Sequence, residues 1–185
     1  MKWFMSDMKN CTSCPLCKSR TRVVFGYGAK DPLFILVGEA PGRDEDIQGK
    51  PFVGRCGKLL DKMLKKYLGI TRDKIFITNA NLCRPLGNRK PTGIEMRICR
   101  SRLEYTLSYF NCPIVTAGAH ATEAVTGFRG LRGLRGEVLD WRDRKKRKRA
   151  VLPIYHPSYI LRTGDLKAAE EDWKKVEDAI RRSLE

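Results

Sequence analysis

No run in this 185-residue sequence approaches the roughly 18 consecutive apolar residues of a membrane-spanning helix, which excludes one. The opening residues, MKWFMSDMKN, lack the apolar core and small-residue cleavage site of a secretory leader, so an intracellular chain without membrane contact is expected. Internal repeats and Pro-, Gly- or Ser-rich linkers are missing, and residues 1–185 read as one domain. Acid is scarce beside base: 21 Asp plus Glu stand against 37 Lys plus Arg, a formal charge of +16. With 42% hydrophobic and 31% charged residues, the composition excludes disorder and fibres and allows a buried core.

An excess of base on a globular chain points to a polyanion, because clustered Lys and Arg gain free energy by displacing counterions from phosphates. The excess is most concentrated from Arg129 to Arg149, where ten basic and three acidic residues give +7. This stretch, opening with RGLRGLRG and closing with RDRKKRKR, reads as a loop and strand edge that grips phosphate.

Seven cysteines (Cys11, Cys14, Cys17, Cys56, Cys83, Cys99 and Cys112) are numerous for a reducing compartment, where disulfides do not persist. Metal binding is the leading explanation. Cys11 and Cys14 form a CxxC, and fifteen residues lie between Cys83 and Cys99. A thiolate-only set of four suits tetrahedral Zn or a [4Fe–4S] cluster, and the spacing does not choose between them. Cys17 offers an alternative CxxC with Cys14; Cys56 and Cys112 read as small buried residues.

Four short β-branched runs, 33–37, 75–78, 114–117 and 150–154, read as strands buried on both faces. Between them, Leu59, Leu60, Met63, Leu64, Tyr67 and Leu68 make one helix face, Ile94, Ile98, Leu103 and Leu107 another, and Ala121 to Val125 a short third. Leu166, Ala169, Trp173, Val176 and Ile180 mark a packed terminal helix. The alternation predicts an α/β fold, a central four-stranded parallel sheet between two helical layers, with ligands at the carboxyl ends of the strands. Those ends carry GEAPGRDED from Gly38, Asn79 followed by a loop to Pro91, and HPSYILR from His156. Carboxylate, amide, aromatic and imidazole groups would share one rim.

Six motifs in order, CTSCPL from Cys11, GEAPGRDED from Gly38, GKPFVGRCG from Gly49, ITN ending at Asn79, CRP from Cys83 with Asn88-Arg89, and HPSYILR from His156, resemble the iron–sulfur uracil-DNA glycosylases, family 4 of that superfamily. The resemblance runs from about Cys11 to the last helix. It implies a uracil-DNA glycosylase-like three-layer fold and a monofunctional enzyme that hydrolyses the N-glycosidic bond of uracil in single- or double-stranded DNA, initiating base excision repair. No lysine is placed for strand cleavage. It further implies a [4Fe–4S] cluster on Cys11, Cys14, Cys83 and Cys99, with Zn as the alternative, leaving Cys17 spare. The setting implied is a cytoplasmic, nucleoid-associated monomer of a prokaryote.

By the same resemblance, His156 donates a hydrogen bond to a uracil carbonyl as negative charge accumulates. Asn79 reads the pairing edge of the base, with an amide that offers both donor and acceptor, and Phe52 is the face on which the flipped base stacks. Gly38, Ala40 and Gly42 line the base pocket. Glu39 and Asn88 share the handling of water, since Ala40 stands where other branches carry an Asp base. Arg84, Arg89, Ser158 and Arg162 meet phosphates, the apolar Tyr159, Ile160 and Leu161 enter the helix, and Ile160 is the preferred wedge. His120 is read as structural. Two other readings keep the residues and change the function: a superfamily member acting on another deaminated base, and a metal-stabilised DNA-binding module without catalysis.

Overall fold

The structure, a computed structural model, describes residues 8–184; the leader reading of residues 1–7 lies outside them. Strands β1 (Tyr27–Gly28), β2 (Ile35–Gly38), β3 (Phe76–Asn79), β4 (Ile114–Ala117), β5 (Leu139–Arg142) and β6 (Lys148–Ile154) form one sheet in the order β1-β3-β2-β4-β6-β5. The four predicted strands are its parallel centre, β3-β2-β4-β6. Two antiparallel edges extend it: Tyr27 pairs with Ile77, and Leu139 with Val151. The sheet is therefore mixed and six-stranded, with the expected parallel core inside it.

Because successive strand residues face opposite sides, alternation sorts the core into two layers. Leu36, Ile75, Ile77, Val115, Leu152 and Ile154 pack on one face, against helices α2 (Arg55–Met63), α6 (Pro157–Thr163) and α7 (Leu166–Leu184). Ile35, Val37, Phe76, Ile114 and Val151 pack on the other, against α3 (Gly93–Tyr109) and α4 (Ala119–Thr126). The three-layer arrangement follows directly. A shorter helix, α1 (Arg43–Gln48), follows β2, and α5 (Leu131–Leu134) precedes β5. A third apolar cluster of Met8, Leu16, Val23, Leu82, Cys83 and Cys99 ties the N-terminal segment to the loop after β3. Cys56 and Cys112 are half-buried at the margins of the main cores rather than inside them.

No helix among the described residues is long and apolar enough to cross a membrane. The terminal helix keeps Trp173 and Val176 inside as its periodicity predicts, but Leu166 at its start is exposed. Thr92 and Glu95 close the start of α3 reciprocally: the Thr92 hydroxyl accepts from the Glu95 N–H at 3.3 Å and the Glu95 carboxylate from the Thr92 N–H at 2.7 Å.

Candidate active site

The carboxyl ends of β2, β3 and β6 bring Gly38, Asn79 and His156 to one rim, and the loop before α2 adds Phe52. How tightly they converge is measured at Gly38. A Cβ there would fall 2.4 Å from the Asn79 amide oxygen and 2.7 Å from the Phe52 ring, so only glycine leaves both side chains in place. The Phe52 and His156 rings lie 5.7 Å apart, centroid to centroid, at 35°. Asn79 is 3% exposed, and among the described residues its amide makes no hydrogen bond.

His156 begins α6 and caps it. Its Nδ1 accepts from the Ser158 N–H at 3.1 Å and lies 2.8 Å from the Ser158 hydroxyl. A nitrogen that accepts a backbone N–H carries no proton, so the neutral ring must hold its hydrogen on Nε2. Capping fixes the tautomer and leaves Nε2–H as a donor. Burial pushes the imidazole down to about 4, against a weaker opposing pull from Glu45, so the ring is neutral at physiological pH. On the neighbouring strand end, Gly118 has φ +91°, and a Cβ there would come within 3.1 Å of the His156 Cβ.

Phe52 itself sits at φ +54°, a left-handed conformation unusual for a bulky residue. Two residues that sequence reasoning missed hold it there. Arg72 reaches back to donate to the Phe52 carbonyl at 2.5 Å and the Gly57 carbonyl at 2.9 Å, while its Nε pairs with Asp61. Glu45 accepts from the backbone N–H groups of Gly42, Val53 and Gly54 at 3.0, 2.9 and 2.8 Å, tying the GEAPG turn to the Phe52 loop. Only the acidic DED run hinted at the second; nothing local announced Arg72.

The remaining candidates are less uniform. Glu39 follows β2 on the same rim; burial pushes the His120 imidazole down, with the Glu39 charge opposing, and its Nε2 is buried without a partner among the described residues. Ala40 is half-buried in the turn and Gly42 precedes α1. Asn88 is exposed at φ +56°, and its amide oxygen accepts from Arg84 at 2.7 Å; it makes no hydrogen bond with Phe52, Asn79 or His156 among the described residues.

Three expected DNA-contacting groups sit in particular surroundings. Ile160 is 4% exposed and packed into the core, whereas its neighbour Leu161 is 41% exposed. Arg89 is paired with the buried Glu95 carboxylate while its own side chain stays half exposed. The basic stretch 129–149 is split by the sheet. Its first part, near Pro153, lies on the site side, where Arg135 pairs with Asp172 and Glu171 and covers the Tyr155 ring at 4.7 Å. Tyr155 stacks on Tyr159 at 4.1 Å and Arg162 covers Tyr159 at 5.8 Å. Its second part, the β5–β6 turn, lies at the amino end of the strands, away from the rim.

The sequence profile of the Uracil DNA glycosylase superfamily matches residues 25–179. The chain is also 39% identical over 179 residues to the type-4 uracil-DNA glycosylase of Sulfurisphaera tokodaii, covering 93% of this chain and 81% of that protein. The chain belongs to the uracil-DNA glycosylase superfamily. Within it, the relatives share the type-4 name: that of Thermotoga maritima is 39% identical over 95% of this chain and 92% of its own length, and that of Archaeoglobus fulgidus 36% identical over 92% and 88%.

Away from this uracil-DNA glycosylase rim, Cys11, Cys14, Cys83 and Cys99 line one cavity together with Met8, Leu16, Val23, Leu82, Ile98 and Arg102. Cys17 is not on its wall; its thiol points to the Thr12 carbonyl. Among the described residues no three His, Cys, Asp or Glu side chains form a group that could hold a single metal ion. The four thiols instead stand around a space that is otherwise apolar. Arg20 donates to the Cys83 sulfur at 3.4 Å and Arg102 to the Cys11 sulfur at 3.1 Å. Burial pushes the Cys83 thiol up to about 12, with Arg20 opposing.

Proposed function

We propose that this chain is a monofunctional uracil-DNA glycosylase, which hydrolyses the bond between uracil N1 and the deoxyribose C1′ in single- or double-stranded DNA and leaves an abasic site. The observation that carries the reading is the junction of Asn79, Phe52 and a His156 whose tautomer is fixed by its own cap. The flipped base stacks on Phe52 while the Asn79 amide pairs with a carbonyl and the imino N–H of its Watson–Crick edge, a pattern cytosine does not offer. As the C1′–N1 bond breaks, its electron pair passes to the base, and the negative charge spreads to a ring carbonyl. The neutral Nε2–H of His156 donates to that oxygen without having to give up its proton. Water adds to the electron-poor C1′ and releases a proton to Glu39; Asn88 and His120 help orient that water. Gly38, Ala40 and Gly42 wall the pocket, Leu161 fills the space the base leaves, and Arg84, Ser158, Tyr159 and Arg162 hold the backbone.

The four cysteines fit a [4Fe–4S] cluster better than zinc. A zinc ion at Zn–S of ~2.3 Å needs sulfurs about 3.8 Å apart, whereas among the described residues no three of these thiols are grouped to hold one ion, and two guanidiniums donate to their sulfurs. When bound, the cluster cross-links the N-terminal segment to the loop after β3 and to α3; no step of the hydrolysis passes through it. The setting of this reading is a monomer acting on the nucleoid of a prokaryotic cell.

The experiment is incubation with an end-labelled oligonucleotide containing one uracil, followed by hot alkali. Cleavage at the uracil, and intact DNA without alkali, is the expected result. Intact DNA after alkali at stoichiometric protein would overturn the reading, as would cleavage only at hypoxanthine or xanthine, and a protein–DNA adduct on a denaturing gel would show a covalent mechanism instead.

A further inference from the structure

The base-rich turn between β5 and β6 has no role at the rim, and its construction asks for one. Strand β6 runs parallel to β4, so its end at Ile154 lies at the carboxyl-end rim and its beginning at Lys148 at the opposite, amino end of the sheet. Six residue steps separate the two, about 20 Å of extended chain. Duplex DNA has a persistence length of roughly 50 nm, so a segment seated on the rim does not fold back over so short a path.

The turn is rigid. The buried Asp143 carboxylate accepts from the backbone N–H groups of Lys145 and Arg147 at 2.8 and 3.0 Å, and from the Arg147 side chain at 2.7 Å. Arg147 also donates to the carbonyls of Ser108 and Phe110, at 2.7 and 3.0 Å, which anchors the turn to the end of α3. Buried Arg149 donates to the carbonyls of Phe110 and Leu107 at 2.7 and 3.1 Å and to Cys112. Lys146 takes a left-handed φ of +61° to close the turn. Two arginines and the aspartate are thus turned inward, and the groups displayed outward are Arg142, Arg144, Lys145 and Lys146. Among the described residues none of these four meets a carboxylate; the neighbouring Lys148 pairs with Asp140.

We propose that this turn is a second phosphodiester-binding surface, which holds a nucleic-acid segment other than the one at the Phe52–His156 rim. A fixed array of four cations matches a run of backbone phosphates and has no means to read bases, so the contact is sequence-independent and salt-sensitive. Its consequence is direct transfer: the chain engages a second DNA before it leaves the first. The inference requires that the chain bind nucleic acid, and it stands whether or not the glycosidic bond is hydrolysed.

The test is dissociation of the intact protein from a fluorescent, uracil-free duplex on addition of unlabelled duplex at increasing concentration. With two surfaces, the dissociation rate rises with competitor concentration; with one, it is constant. Changing Arg144, Lys145 and Lys146 together to Gln, all three exposed and without side-chain hydrogen bonds among the described residues, should abolish the rise. The variant's uracil release from a short oligonucleotide should match the parent's. The second-site affinity should also lose about 2.7 from its log–log salt slope, for three phosphates no longer neutralised. A parent rate independent of competitor overturns the proposal, and needs no variant to fold. So does a rise that survives in the variant, or one produced equally by polyglutamate, which would identify an acidic protein as the partner.

Discussion

Arg89 grips Glu95 with both prongs of its guanidinium, Nη1 at 2.9 Å from Oε2 and Nη2 at 2.7 Å from Oε1. The carboxyl, 2% exposed, is held down at about 2, first by these hydrogen bonds and against its own burial. A carboxyl whose folded-state value lies below its ordinary 4.5 stabilises the protein fully above that pH and loses the contribution as pH falls toward 2. Arg89→Met should therefore lower Tm at pH 7 by about 5 °C and flatten the acid limb of the stability profile. Its DNA-binding salt slope should match the parent's; a slope smaller by about 0.9 would mean that Arg89 meets phosphate after all.

His156 gives a prediction in pH. Since burial brings the ring down to about 4, uracil release should show no histidine limb near pH 6.5. In the unfolded chain the ring titrates near its ordinary value, so its contribution to stability is complete above about 6.5 and disappears as pH falls toward 4. Single-turnover rates across pH 5 to 8 check the first point. His156→Gln should lower kcat by about 10²–10³ with duplex affinity unchanged, measured by single turnover and by anisotropy; a rate within a few-fold of the parent's would refute the role.

Arg72 offers a test of preorganisation, because it touches the backbone that carries the stacking ring and not the rim itself. Arg72→Ala frees Phe52 from its left-handed conformation, which should raise KM roughly tenfold while kcat changes less. Arg72→Lys should not rescue it, since one ammonium cannot span both carbonyls and Asp61. Steady-state kinetics of both variants decide; a loss confined to thermal stability would make Arg72 merely structural.

Much of this was legible in the chain because buried parallel strands write themselves as continuous apolar runs, and the residues after them fall on one rim. Asn79 and His156 were recognisable for that reason, whereas Phe52 and the pocket role of Gly38 came from the family resemblance. The edges were not: a two-residue strand such as Tyr27–Gly28 carries no periodicity. Nor did composition reveal direction. Arg147 and Arg149 count as charge in the sequence yet point inward to carbonyls of α3 and the segment following it, and Ile160 differs from Leu161 only by which helix face each occupies. Arg72 acts on a residue twenty positions earlier, a relation only the folded chain creates.

The cysteine cavity supplies the last prediction. Arg20 and Arg102 bring positive charge and N–H donors to the sulfurs of Cys83 and Cys11, and both effects would stabilise the extra electron of a reduced cluster held by the proposed thiols. Purified protein should be brown and contain about four irons per chain, as a [4Fe–4S] centre requires. Arg102→Leu should move the reduction potential to more negative values, read by spectroelectrochemistry, while iron content stays the same. Removal of the metal by oxidation and chelation should lower Tm, because the link between the N-terminal segment and the loop after β3 is lost. It should leave any residual uracil release with the same pH profile, since no proton in the hydrolysis passes through the cluster. A colourless zinc protein would refute the assignment at the first step, and an unchanged potential in Arg102→Leu would remove the guanidinium from any tuning role.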